Sequence, residues 1–147
     1  MIEVYTDGSS LGNPGSGGWA FLVNNKGVIS SRSGYIINAT NNQMELTAAI
    51  KAIEFLYNYK EIHLYTDSNY LKNGITTWII NWKKNNWITT SKKTVKNQDL
   101  WRKLDQLNSS KEIEWKWVKA HNSSNFNNQV DLLARKAADT LTESSFN

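Results

Sequence analysis

The 147-residue sequence predicts an α/β fold, a mixed sheet flanked by helices. Three observations carry that expectation. Three strand-like segments joined by short links come first, the apolar spacing then changes to a helical period, and strand-like and helix-like segments alternate afterwards. In sheets of this kind the functional edge lies at the carboxyl ends of the parallel strands.

Residues 2–6 read as a short buried strand closed by Asp7-Gly8. Residues 12–18, Gly-Asn-Pro-Gly-Ser-Gly-Gly, are expected to be a loop, because Gly and Pro at this density break regular structure. A second strand covers 19–23, Asn24-Asn25-Lys26-Gly27 makes a hairpin turn, and a third strand ends near Ile37, which completes an antiparallel meander. Leu46, Ala49, Ile50, Ile53 and Leu56 recur at helical spacing and predict an amphipathic helix over about 42–59. Residues 62–66 are a strand ending at Asp67, 68–84 are helical, 92–96 irregular and basic, and 98–107 helical. Alternation marks 113–118 as a strand, and Val130, Leu133, Ala134, Ala137 and Leu141 stripe a last helix. The expectation is one domain over residues 1–141, with residues 142–147 a loose, aperiodic tail.

Composition excludes several classes of function. Without cysteine there are no disulfides or thiolate metal sites, and with two histidines a structural zinc site has too few ligands. A bound metal must be held by oxygen, which selects magnesium, manganese or calcium. Seven Trp, six Tyr and four Phe are too many for a disordered chain. No apolar run approaches the ~20 residues of a membrane span, and Met1-Ile2-Glu3-Val4-Tyr5 lacks the features of a signal peptide. A cytoplasmic protein is expected. The net charge of +4 points weakly to a polyanionic partner.

The strongest local signal is an echo. Tyr5-Thr6-Asp7-Gly8-Ser9 and Tyr65-Thr66-Asp67-Ser68-Asn69 are both strands ending in Thr-Asp before small polar residues. Side by side and parallel, they would deliver both aspartates to one edge. Each acid also has a plain structural explanation. Asp7-Gly8 can form a turn, and Asp67 can cap the following helix. Glu45 stands at capping-box spacing in Asn42-Gln43-Met44-Glu45, and Asp131 can pair with Arg135 one helical turn on. His121 can be an ordinary exposed loop residue. Together the explanations weaken, since clustered carboxylates repel and persist only where positive charge compensates. Two divalent ions about 4 Å apart would do so and would clamp a phosphodiester displacement.

At these residues the chain resembles bacterial type 1 ribonucleases H. The resemblance rests on Tyr5-Thr6-Asp7-Gly8-Ser9 with Gly12-Asn13-Pro14-Gly15, Thr40-Asn41-Asn42-Gln43-Met44-Glu45, Thr66-Asp67-Ser68, Trp117-Val118-Lys119-Ala120-His121 and Asp131-Leu132-Leu133-Ala134-Arg135, in that order. It implies a five-stranded mixed sheet and hydrolysis of the RNA strand of RNA–DNA hybrids, leaving 3′-hydroxyl and 5′-phosphate ends. Asp7, Glu45, Asp67 and Asp131 would hold two magnesium ions, with manganese as the alternative, and His121 would assist proton movement or product release. Gly12, Asn13, Asn41, Asn42 and Asn69 would contact the hybrid. Asn69 stands where a glutamine is usual, Ala120 replaces a glycine, and Asn122-Ser123-Ser124 replaces a more Gly-rich loop.

Between residues 81 and 103, Lys83, Lys84, Lys92, Lys93, Lys96, Arg102 and Lys103 face a single acid, Asp99, with Trp78, Trp82, Trp87 and Trp101 interleaved or adjacent. This is either a solvated basic surface over packed tryptophans or a cationic arm that grips phosphates. It resembles the family's basic protrusion, which places Trp78, Trp82, Lys83 and Lys84 at the DNA strand. The other readings are a non-catalytic hybrid-binding module and an integrase-like polynucleotidyl transferase. A monomer is the expected state.

Overall fold

Backbone pairing begins with three strands, β1 (Ile2–Gly12), β2 (Gly15–Asn25) and β3 (Val28–Ala39), which form the expected antiparallel meander. The computed structural model describes residues 1–119 and 125–147. Next come α1 (Asn41–Phe55), β4 (Glu61–Thr66) and α2 (Asn69–Asn73), the last running through a π-helical turn at Gly74–Trp78 into α3 (Ile79–Lys84). The order closes with α4 (Gln98–Ser109), β5 (Glu112–Trp117), α5 (Asn125–Thr140) and β6 (Ser144–Phe146). Strands lie in the order β5-β4-β1-β2-β3-β6, with β4 parallel to both β1 and β5.

Alternate residues of a strand face opposite sides, and the meander uses both. Val4, Phe21, Ile62 and Leu64 pack beneath α1 and α4 with Leu46, Ile50, Ile53, Trp101 and Leu104. Tyr5, Ala20 and Leu22 face the other way, onto Val130 and Ala134 of α5. The basic segment is anchored in the first of these layers. Trp87 and Val95 are buried there, and Trp82 packs against them. Tyr70 ties the anchor together, its hydroxyl accepting from Trp101 Nε1 at 3.0 Å and from Asn97 Nδ2 at 3.1 Å.

Three expectations are corrected. Among the described residues the sheet has six strands, not five, because Ser144–Phe146, expected as part of a loose tail, pairs with β3 through Ser31↔Phe146, Arg32↔Ser145 and Ser33↔Ser144. This strand is exposed along its length, so no apolar alternation announces it; backbone pairing and Arg32 Nη1, which donates to Asn147 Oδ1 at 2.8 Å, hold it. Gly15-Ser16-Gly17-Gly18 is strand rather than loop. A β-carbon on Gly18 would sit 2.0 Å from Ala134 O, so this glycine serves close helix–sheet packing and not a turn. Finally, α1 ends at Phe55, before the expected limit near 59.

Candidate active site

Parallel pairing sets Tyr5 opposite Tyr65, with the rings stacked at a centroid distance of 4.6 Å. Two residues beyond that pair the chains reach Asp7 and Asp67, so the echo in the sequence becomes one edge in space. The structural explanations for these acids are taken by other residues. Asp7-Gly8 is not a turn but lies within β1. Ser68, not Asp67, caps α2, its hydroxyl accepting from Leu71 N at 3.0 Å. Trp117 Nε1 donates to the Asp67 carbonyl at 3.1 Å and fixes the backbone there.

Glu45 is likewise released from capping. Thr40 and Gln43 make the capping box at the start of α1, Thr40 Oγ1 accepting from Gln43 N at 3.1 Å and Gln43 Oε1 from Thr40 N at 2.9 Å. Two residues on, Glu45 turns to the sheet. Only a glycine allows its approach, since a β-carbon on Gly8 would lie 2.3 Å from Glu45 N. Gly8 N then donates to Glu45 Oε1 at 2.9 Å.

One oxygen each from Asp7, Glu45 and Asp67 can be chosen so that all lie within 4.8 Å of one another. Asp7 and Glu45 are buried, and Asp67 is half-buried. Asp131 arrives from α5, near enough to act on both Asp7 and Glu45. It makes the expected ion pair as well, with Arg135 Nε at 3.2 Å. Burial first, then the charge of Glu45, then Asp131 and Asp67, push the Asp7 carboxyl far above the ordinary carboxylate range. Glu45 is raised by burial and then by Asp67, against the opposing pull of the Gly8 N–H.

Asp7 Oδ2 is buried and, among the described residues, has no hydrogen-bond partner. A buried acceptor without a donor costs about 1–3 kcal/mol, and more when charged. A hard divalent cation fits this set, because all its ligands are carboxylate oxygens and their mutual repulsion calls for positive charge.

The other expected residues surround this cluster. Asn41 Oδ1 accepts from Ser10 N at 2.7 Å, and Asn13 Oδ1 from Asn41 N at 3.1 Å, which joins the tip of β1–β2 to the start of α1. Gly12, at φ +108°, makes the bend into that tip. Asn42 and Asn69 are exposed near the edge. Trp78 is 36% exposed, whereas Trp82 is half-buried among Trp78, Trp87 and Trp101. Lys83 pairs with Asp105 at 3.2 Å, and Lys84 is exposed. His121 lies outside the described residues. Sequence reading overlooked Gly8 and Gly18, whose role is legible only once the helices that press on them are placed.

The RNase H family model matches residues 1–139. The chain belongs to the ribonuclease H family. Ribonuclease H from Hydrogenovibrio crunogenus is 49% identical over 141 residues, covering 96% of this chain and 97% of that one. Ribonuclease H from Wolbachia pipientis wMel is 51% identical over 136 residues, 92% of this chain and 94% of its own. Among solved structures, LC9-RNase H1, described as a type 1 RNase H with the type 2 active-site motif, is 30% identical at a TM-score of 0.85. That likeness covers 97% of this chain and 74% of the other. As a ribonuclease H the chain is a nuclease of the hydrolase class, a metal-dependent family, and Asp7, Glu45 and Asp67 form an acidic cluster that could hold a metal ion. No helix among the described residues is long and apolar enough to cross a membrane.

Proposed function

We propose that this chain is an endoribonuclease that hydrolyses the RNA strand of RNA–DNA hybrids by two-metal-ion catalysis, leaving 5′-phosphate and 3′-hydroxyl ends. The observation that carries the reading is the meeting of Asp7, Glu45 and Asp67 within 4.8 Å at the carboxyl edge of the parallel strands, in a chain half identical to ribonucleases H. Magnesium is the preferred ion and manganese the alternative. Bound there, two such ions would activate water and stabilise the departing 3′-oxygen.

The chain's own groups supply position and charge. Asp7, Glu45, Asp67 and Asp131 hold the cations, with Gly8 N orienting Glu45. Asn13 and Asn41 commit their side-chain oxygens to backbone donors, which turns their amide nitrogens into the groups offered to the hybrid. Donors of that kind suit the 2′-hydroxyls that separate RNA from DNA. Gly12, Asn42 and Asn69 border the same edge, and His121 is assigned to proton movement or product release. Trp78, Trp82, Lys83 and Lys84 are assigned to the DNA strand, Trp82 by holding the arm against the core. A non-catalytic binding module has no use for buried, mutually repelling carboxylates. A cysteine-free, basic monomer working in the reducing cytoplasm completes the reading.

The test is parallel incubation with magnesium of an RNA–DNA hybrid, an RNA duplex and a DNA duplex. Cutting of the hybrid's RNA strand alone is expected; binding without cleavage, or cutting of the DNA duplex, overturns the proposal. The arm gives a second expectation. Changing Lys83 and Lys84 together to Ala should flatten the log–log salt dependence of hybrid binding by about one unit per lost phosphate contact. Lys83 must exchange Asp105 for phosphate to contribute, so an unchanged slope would mean that the arm does not grip the backbone.

A further inference from the structure

The acid cluster lies at a sheet edge, and the basic arm brings positive charge to it from one face of the sheet only. The arm is rooted through Trp82, Trp87 and Val95 in the layer beneath α1 and α4, while α5 covers the opposite face. On that second face, beside Asp131, a depression of about 610 Å³ opens between the tip of β1 and α5. Ser9, Ser10, Asn41, Arg135 and Lys136 line it, with Asp139 as the one acid among the described residues. Both cations are exposed. Arg135 links the depression to the cluster directly, because its Nε lies 3.2 Å from Asp131 Oδ2. Asn41, held to Ser10 N, gives the wall a fixed shape.

From this arrangement we infer that the depression is a phosphate subsite, which receives a backbone phosphodiester of the strand being cut, with Lys136 and Arg135 as its cations. This rests on the hybrid-cleaving reading above. A polyanion brought to four carboxylates is repelled unless fixed positive charge flanks the site. The arm supplies that charge from one face of the sheet, and Arg135 and Lys136 supply it from the other. A duplex laid across the carboxyl edge is thereby gripped on both sides of the cut. Hydroxyl and amide groups next to two cations are also the set that binds phosphate oxygens in nucleic-acid interfaces. Arg135 serves two acids at once, holding Asp131 while facing the phosphate, so Lys136 is the cleaner probe.

The experiment measures binding of a fluorescent RNA–DNA hybrid by anisotropy, without divalent ions so that nothing is cut, over a range of salt. Lys136→Ala should lower the salt slope by about one unit, whereas Lys26→Ala, on the turn at the far end of the sheet, should keep the wild-type slope. Hybrids carrying a single neutral methylphosphonate in the RNA strand then locate the contact. At one position the substitution should weaken wild-type binding and leave Lys136→Ala unaffected. If the wild type cuts hybrids but Lys136→Ala keeps the full slope and responds to every methylphosphonate as the wild type does, the subsite is wrong and the proposed function stands. If the wild type neither binds nor cuts hybrids, both fall.

Discussion

Asp7→Asn is expected to lower hybrid cleavage by at least about a thousandfold, equivalent to ~4 kcal/mol of barrier, while making the metal-free protein more stable. Both effects come from one geometry. Asp7 is 3% exposed, its Oδ2 has no donor among the described residues, and Glu45, Asp67 and Asp131 surround it. Asparagine keeps the shape, has no proton to hold or release, and cannot become the anionic ligand a cation needs. Without the cost of keeping that carboxyl protonated where the unfolded chain would ionise it, the metal-free Tm should rise by at least about 2 °C. The pH dependence follows from the raised carboxyls of Asp7 and Glu45. Above about pH 4 an unfolded carboxylate gives up its proton, whereas these two keep theirs in the folded state. The folded protein then binds more protons than the unfolded one, so this contribution to stability declines as pH rises above 4 toward the raised folded values. Thermal melts in chelator across pH 5 to 8 should show that decline in the wild type and a shallower one in Asp7→Asn. A variant that is active, or less stable than its parent in chelator, would contradict this account of the cluster.

Gly18→Ala should damage the protein through the packing of α5 on the sheet. The added carbon would meet Ala134 O at 2.0 Å and Ala138 N at 2.6 Å, both backbone atoms of α5 that have no rotamer to yield with. The helix must move, and overpacking of this kind costs about 1–3 kcal/mol, sometimes more. A fall in Tm of at least about 4 °C is expected. Asp131 sits three residues before Ala134 on the same helix, so the displacement should also weaken cleavage in whatever fraction remains folded. Circular dichroism separates the two effects by giving the folded fraction at the assay temperature. Wild-type melting together with wild-type activity would mean that the sheet and α5 are not in the close contact described.

The acids differ in how far they could be read in advance, and the reason is physical. Asp7 and Asp67 follow the same Tyr-Thr pair on neighbouring strands, and the pairing of Tyr5 with Tyr65 needs nothing beyond adjacency of those strands. Glu45 was ambiguous because capping-box spacing fitted its surroundings; the Thr40–Gln43 box resolves it, and that depends on where the helix begins. Asp131 was hardest. Periodicity tells which face of α5 is buried, but the surface it docks on is set by a glycine on β2, and the Gly-Pro-rich segment around it read as loop. The exposed β6 was invisible for a related reason, since backbone pairing at a sheet edge leaves no apolar pattern. The tryptophans were legible as aromatic bulk only, and their split between anchoring and exposure emerges from packing around Tyr70.

If the four carboxylates form one cation site, the protons held by Asp7 and Glu45 must leave when metal arrives. Calorimetric titration of magnesium into wild type and Asp7→Asn at pH 7, repeated in buffers of different ionisation enthalpy, measures that directly. The wild type should bind with net proton release, seen as a buffer-dependent heat, and Asp7→Asn should bind more weakly with the release reduced. Wild-type binding with no buffer dependence, or equal binding by the two proteins, would contradict it.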